Sequence, residues 1–433
     1  MKDFLLFDEV VIVFLAVVGI TSCVAIALSV HLLRKIRALP EPDKIIAPPV
    51  KGHHPFRGGL LFEPTVAVAD AEHSFIYPVN ILTRRELASD VVFTLSGLSS
   101  SGSYMGAALP IAQDLGGKAV LNLRPSDAVD DRRFMTLNII RVPRQPGTSI
   151  KVLMIGDSIV NRDGARLLSE SLRALGFDPQ MVGLLKGMSV EGLSDGLLSE
   201  GRSGWESGDY TFAINDRALP IAEGEEAGFL EMGKGGRVTY NPFIRLAKPD
   251  DSADLVRNGY VFDCEYYQAR FGLDTPDVVI NALGTNDARD RSTSDVYDCI
   301  YDNDRIIHSQ IRTAWPNARI IRTLPATAIA SARNKLWTYS YARIIRAMRA
   351  CAKDLGDPLL SVAPLWAMTN PECGYEVPAS DSGNDGFIIG NWADPIHPSG
   401  ASQHGYYKAM APFVGAAALG LLDKGSSGHQ DQA

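Results

Sequence analysis

Three short strings hold the side chains that acyl chemistry needs: Gly156-Asp157-Ser158, Gly284-Thr285-Asn286-Asp287 and Asp394-Pro395-Ile396-His397. A serine hydroxyl becomes a nucleophile when an adjacent base takes its proton. An imidazole oriented by a carboxylate is such a base, and an amide can donate to the oxyanion that the attack creates. Ser158, His397, Asp394 and Asn286 are the parts for ester hydrolysis. Each string alone also has an ordinary reading. Asp157 and Ser158 could simply cap a helix, Asn286-Asp287 could form a turn, and His397 could be a solvated loop residue. All three in this order, each where a strand should end, outweigh those readings.

The prolines Pro395 and Pro398 keep the late string out of a helix and fix a turn. In that turn the Asp394 carboxylate can reach one imidazole nitrogen and leave the other free for Ser158. A further segment, Glu200-Gly201-Arg202-Ser203-Gly204-Trp205, follows a second expected strand. A glycine there lets backbone N–H approach a ligand, although a plain flexible loop would read the same.

The elements that must position these residues begin at Ile150. Val152-Leu153-Met154-Ile155 is a continuous apolar run, as expected for a strand buried on both faces. A helix follows over Arg162–Leu175, with Ala165, Leu168, Leu172 and Leu175 at helical spacing. Further strands are expected at Gln180–Leu185, Val278–Ala282, Arg319–Leu324 and Leu359–Val362. Helices are expected at Tyr301–Trp315, Asn334–Leu355 and about Gly400–Leu421. Strands alternating with helices predict a parallel sheet covered on both faces. The stretch between Glu206 and Asp277 has little regular pattern, and a loop that long is usually functional or a lid.

Before this unit, short β-type runs (Thr65–Val68, Phe75–Leu82, Val91–Leu95, Ala119–Leu123, Met135–Val142) alternate with Gly/Ser clusters. They predict a small all-β sandwich over residues 61–146. Val10 to Val30 is an uncharged apolar run long enough to cross a bilayer as one helix, placed at 10–33. A signal peptide is the weaker reading, because Asp8 and Glu9 are not a basic leader and Ser22-Cys23-Val24 is a poor cleavage site. Arg34, Lys35 and Arg37 follow the run, which by the positive-inside rule places the bulk of the chain in the cytoplasm. Residues 34–60 read as a linker and 424–433 as a polar, disordered tail.

The chain has 433 residues, 46% of them hydrophobic and 21% charged, so it can bury a large core. A net charge of −8 without a long basic run argues against a nucleic-acid partner. Five cysteines show no CxxC pair, so no zinc site is expected; one disulfide among Cys264, Cys299, Cys351 and Cys373 stays open. His53 and His54 are expected to be solvated, His308 structural and His404 a surface residue. Trp205 and Trp392 flank motifs and could stack on a sugar or pack.

With these residues quoted, the chain from about Ile150 to Leu422 resembles the SGNH hydrolase superfamily, also called GDSL-type esterases. The resemblance implies a flavodoxin-like three-layer α/β domain, here 148–423, with no cofactor and no metal. It implies Ser158 as nucleophile, His397 as base and Asp394 as its partner. It implies an oxyanion hole from the Ser158 and Gly204 backbone N–H groups and the Asn286 amide. Arg202-Ser203-Gly204-Trp205 with Asn241-Pro242-Phe243 also resembles bacterial branches acting on acetylated carbohydrates. The expected reaction is hydrolysis of a small acyl ester, acetyl foremost, on a glycan. An O-acyltransferase, a lipase or lysophospholipase, and a non-catalytic glycan-binding protein are the alternatives. The charge rule favours a cytoplasmic catalytic unit, whereas such enzymes more often work outside, so the side of the membrane stays open.

Overall fold

The computed structural model of the protein describes residues 56, 59–70, 74–188, 195–211, 217–291, 295–376 and 392–423. The expected anchor helix at 10–33, nearly all of the linker, His53, His54 and the tail lie outside these residues. Among the described residues, no helix is long and apolar enough to cross a membrane.

The apolar run forms the strand Thr148–Gly156, and Val152 to Ile155 have no exposed surface. Val278–Ala282 pairs with it in parallel along one edge, and Arg319–Arg322 and Leu360–Val362 continue the sheet in parallel. Along the other edge, Phe177–Val182 pairs with its first half and Leu198–Gly201 with its end. Taken in chain order, the second and third parallel strands thus share one edge of the first, and the fourth, fifth and sixth follow in turn along the other. This matches the flavodoxin-like order when the two that share an edge count as one position. Successive strand residues point to opposite faces. Val152, Met154 and Ile280 pack with Leu168, Leu172 and Phe413 from helices Gly164–Ala174 and Gly400–Ala418. Leu153, Ile155 and Val279 pack with Ile307 and Ile311 of helix Val296–Ala314 on the other side. The expected three layers are present.

Two expectations for this unit need correction. The second strand starts at Phe177 rather than Gln180. Asp178-Pro179 looks like a breaker, yet proline is tolerated on strands that need not donate at that position. The stretch after Glu206 is not a simple lid. It contains helix Cys264–Phe271 and a small antiparallel sheet of Ile244–Leu246, Tyr260–Phe262 and Val256–Arg257. Its aromatic residues Phe243, Phe262 and Tyr267 join the core under the main sheet. The disulfide question that the sequence left open is answered as well: Cys264, Cys299, Cys351 and Cys373 are all free thiols.

The early β-type runs form a five-stranded sheet in the order Thr65–Ala69, Arg133–Val142, Lys118–Pro125, Val91–Gly97, Ser103–Met105. Ser74–Ile76 and Leu109–Ile111 pair separately. The sheet does not own a separate core, as an accessory sandwich over 61–146 would. Residues 55–433 make one unit, and Val66, Phe93, Leu121 and Leu137 belong to the same buried cluster as Val152 and Phe413. Buried hydrogen bonds stitch the two parts. Trp366 Nε1 donates to the Leu61 carbonyl at 2.7 Å and Trp337 Nε1 to the Leu82 carbonyl at 2.9 Å. Asn80 Nδ2 donates to the Trp366 carbonyl at 2.8 Å. Sequence patterning cannot distinguish a self-contained sandwich from a sheet that borrows its second layer.

A shared core predicts one cooperative unfolding transition for residues 55–433. Trp366→Ala should cost about 3–5 kcal/mol and lower the melting of both parts together. Denaturant unfolding followed by far-ultraviolet circular dichroism and tryptophan fluorescence checks this; two separated transitions would show independent cores.

Candidate active site

Ser158 is the first residue of the short helix Ser158–Asn161, directly beyond the carboxyl end of the central strand. This tight strand-to-helix passage depends on glycine. A Cβ on Gly156 would lie 2.3 Å from Val160 Cγ2, and one on Gly201 would lie 2.6 Å from the Asn161 backbone nitrogen. Asp157 does cap the helix, accepting from the Ile159 N–H at 2.9 Å. Ser158 does not; its hydroxyl is left half-buried and turned elsewhere.

Its partner is His397. Ser158 Oγ and His397 Nε2 are 2.7 Å apart, and His397 Nδ1 is 2.7 Å from Asp394 Oδ2. The other carboxylate oxygen of Asp394 accepts from the backbone N–H groups of Ile396 and His397, each at 3.1 Å. Asp394 thus holds both its own turn and the ring. The turn is moored by the Pro395 carbonyl, which accepts from the Ala328 N–H at 3.0 Å. The structure therefore brings Ser158, His397 and Asp394 into one hydrogen-bonded chain.

Asn286 and Gly204 meet through Trp205. Asn286 Nδ2 donates to the Trp205 carbonyl at 2.9 Å, which ties the third string to the Gly204 segment. Gly204 takes φ +82°, and Gly284 takes φ +126° with Ile344 Cγ2 only 3.1 Å from where a Cβ would sit. Asp287, next to Asn286, accepts from the Ser207 N–H at 2.9 Å and the Ser207 hydroxyl at 2.6 Å.

Burial sets the protonation states. The Asp157 carboxyl is pushed up to about 7, chiefly by desolvation, and Asp287 is raised for the same main reason. Burial alone would also raise Asp394, but the N–H groups of His397 and Ile396 and the imidazole itself hold it below its ordinary value. Burial first, and then the Arg162 guanidinium, hold His397 below its ordinary 6.5, against the pull of Asp394. At neutral pH the site therefore presents a neutral imidazole on an ionised carboxylate.

Several contributors were invisible in the sequence. Arg162 Nη1 lies 3.3 Å from the same Asp394 oxygen that faces the imidazole. Asn161 Nδ2 donates to the Gly201 carbonyl at 2.7 Å, and Asn161 Oδ1 accepts from Ser203 Oγ at 3.3 Å. Arg217 donates to the Gly204 carbonyl at 2.9 Å. Arg162, four residues past Ser158, carried a weak local signal; Arg217, thirteen residues past Gly204, carried none.

Other expected residues fall into place. His308 is buried against Asn281 Nδ2 at 3.2 Å, and burial lowers it to about 4, so it is a neutral core histidine. His404 is exposed. Trp205 is buried edge-on to Tyr210 at 4.9 Å, so it packs and has no free face for a sugar. Trp392 is half-buried, with its Nε1 on the Ile329 carbonyl at 3.1 Å. Asn241 is also structural: its amide donates to the Asp209 and Tyr210 carbonyls at 2.9 and 2.8 Å.

The cation beside Asp394 gives a signed expectation. Arg162→Gln removes a charge that disfavours imidazolium, so His397 should titrate at higher pH than in the native protein. Imidazole NMR titration of both proteins measures this; an unchanged or lower midpoint would remove Arg162 from the electrostatics of the site.

No family model matches the sequence, and no curated protein matches it. Solved structures do. A carbohydrate esterase family 3 protein from Talaromyces cellulolyticus is 16% identical, covering 63% of this chain and 98% of its own, with a TM-score of 0.36. An acetyl xylan esterase, Est2A, from Butyrivibrio proteoclasticus is 14% identical over 80% of this chain and 86% of its own, with a TM-score of 0.32. An inhibitor-bound aryl esterase of M. smegmatis is 14% identical over 61% and 98%, also at 0.32. With scores this low, the reading of the site rests on its own geometry. The chain has a flavodoxin-like sheet order, with Ser158, the Gly204 segment and Asn286 each placed shortly beyond the carboxyl end of a strand.

Proposed function

We propose that this protein is a serine esterase that removes a small acyl group, acetyl foremost, from a carbohydrate hydroxyl. The observation that carries the proposal is the continuous hydrogen-bonded chain Ser158–His397–Asp394, with 2.7 Å at each link. A neutral imidazole between a serine hydroxyl and an ionised carboxylate is poised to act as a general base.

In this reading Ser158 Oγ attacks the ester carbonyl carbon while His397 Nε2 takes its proton. The negative oxygen of the tetrahedral intermediate is met by the backbone N–H groups of Ser158 and Gly204 and by the Asn286 amide. Asn286 Nδ2 carries two hydrogens; one holds the Trp205 carbonyl and the other remains for the oxyanion. The C–O bond to the sugar breaks, and His397 returns its proton to the departing hydroxyl. Water, deprotonated by His397, then attacks the acyl carbon. The bond from that carbon to Ser158 Oγ breaks, His397 returns the proton to Oγ, and the acid leaves. Asp394 holds the ring tautomer and stabilises the imidazolium in both halves. The substrate class rests on the likeness of Arg202-Ser203-Gly204-Trp205 to carbohydrate-acting branches, and attachment to a membrane through residues 10–33 belongs to the same reading.

Assay of the protein on 4-nitrophenyl acetate, butyrate and octanoate tests it. Turnover should be best on acetate, and Ser158→Ala should abolish it while the circular dichroism spectrum stays native. Asn286→Ala should cost about 2.7–4 kcal/mol of transition-state stabilisation. A Ser158→Ala protein that keeps most of its activity would sink the assignment, and preference for octanoate would move the substrate to lipids.

A further inference from the structure

We infer that Arg217 is a positioning residue for the oxyanion hole; the inference rests on the esterase reading above. Gly204 sits in the left-handed region at φ +82°, and nothing lies within 4 Å of the place where its Cβ would be. Side-chain packing therefore does not fix this glycine, and glycine is the residue with the most backbone freedom to lose. An oxyanion donor must nevertheless be held in place before the reaction starts. The segment is held instead through its carbonyls. Arg217 Nη1 donates to the Gly204 carbonyl at 2.9 Å, one peptide ahead of the Trp205 carbonyl that Asn286 takes.

Arg217 is itself held on its remaining nitrogens. Nη2 donates to Glu206 Oε1 at 3.3 Å, and Nε is ion-paired with Asp209 Oδ2 at 3.1 Å. Both carboxylates are buried, and each has a second anchor. Glu206 Oε2 pairs with Arg291 Nε at 2.5 Å, and Asp209 Oδ2 accepts from the Glu206 N–H at 2.8 Å. Two of the three guanidinium nitrogens thus donate hydrogen bonds, one of them to the Gly204 carbonyl, while Nε faces the Asp209 carboxylate as an ion pair. A lysine ammonium is a compact point charge and cannot reproduce that fork.

The test compares Arg217→Lys and Arg217→Ala with the native chain and with Ser158→Ala. The measurements are kcat and KM on 4-nitrophenyl acetate, inhibition by acetate, affinity for a small alkylboronic acid that forms a tetrahedral adduct on Ser158, and thermal melting. The expected result is kcat lower by about tenfold to a hundredfold in both variants, with KM within about twofold. Boronate affinity should fall by the same factor as kcat/KM, and acetate inhibition should not change. Loss of a merely structural contact would lower melting without separating boronate from acetate. Arg217→Ala strips two buried carboxylates of a cation and can fail to fold; Arg217→Lys keeps the charge, and its kinetics then decide. A folded variant with native kcat beside an inactive Ser158→Ala would overturn the role of Arg217 alone. An active Ser158→Ala would overturn the esterase reading and this inference with it.

Discussion

The site hangs on the parallel pairing of Gly201 with Gly156 at the carboxyl edge of the sheet. These two glycines let the helix Ser158–Asn161 turn back against both strands at a distance that no other residue permits. The Gly156 carbonyl then accepts from the Arg202 N–H at 2.8 Å and from the Tyr210 hydroxyl at 2.9 Å. The serine strand and the Gly204 segment are thereby fastened at one point. His397, more than two hundred residues later, need only reach the serine from the far side. A sheet whose strand ends converge is where open α/β folds bind ligands, because backbone donors and loop side chains meet there without competing for ladder bonds.

Electrostatics separates the carboxylates of this region into two kinds. Asp157 and Asp287 are buried deeply enough that desolvation raises them, whereas Asp394 keeps its charge through two backbone donors and the imidazole. The arrangement also shapes stability. Asp157, raised to about 7 in the folded chain, contributes stability in acid that is lost as pH rises from the unfolded value toward 7. His308, lowered to about 4, contributes stability that is complete above its ordinary 6.5 and is lost as pH falls toward 4. The two slopes oppose each other across the same window, so neither residue alone should dominate acid unfolding.

The parts of the structure that were legible in the sequence are those fixed by local pattern. The run Val152–Ile155, the periodic helix after it and the motif strings all state their own geometry, and Ser158, His397 and Asp394 lie within hydrogen-bond distance along one chain. What was not legible depends on long-range partners. Leu198–Gly201 hides as a strand because Ser199 and Glu200 are polar, and its place is set by pairing with Ile155 and Gly156 on one side and with Leu185 and Lys186 on the other. The early β-strands read as a sandwich because alternation reports a buried face without saying what buries it. Arg162 and Arg217 act through residues that only the folded chain brings near them.

The stretch after Glu206 shows why an insertion without a clear pattern belongs to the site. Glu200 and Arg202 form an ion pair at 2.7 Å with no exposure of either side chain. Such a pair costs desolvation that Coulomb attraction alone rarely offsets, so its remaining groups need partners. The insertion and its neighbours provide most of them. Tyr267 donates its hydroxyl to Glu200 Oε1 at 2.8 Å, the Leu184 N–H donates to the same oxygen at 2.7 Å, and Arg202 Nη1 donates to the Arg237 carbonyl at 2.8 Å. The Arg202 guanidinium also lies 4.9 Å over the Trp205 ring. A buried polar network with this many internal hydrogen bonds stiffens the backbone on either side of it. That backbone runs directly into Gly204, where a Cβ would meet nothing within 4 Å, so the rigidity of this segment is imported from the insertion.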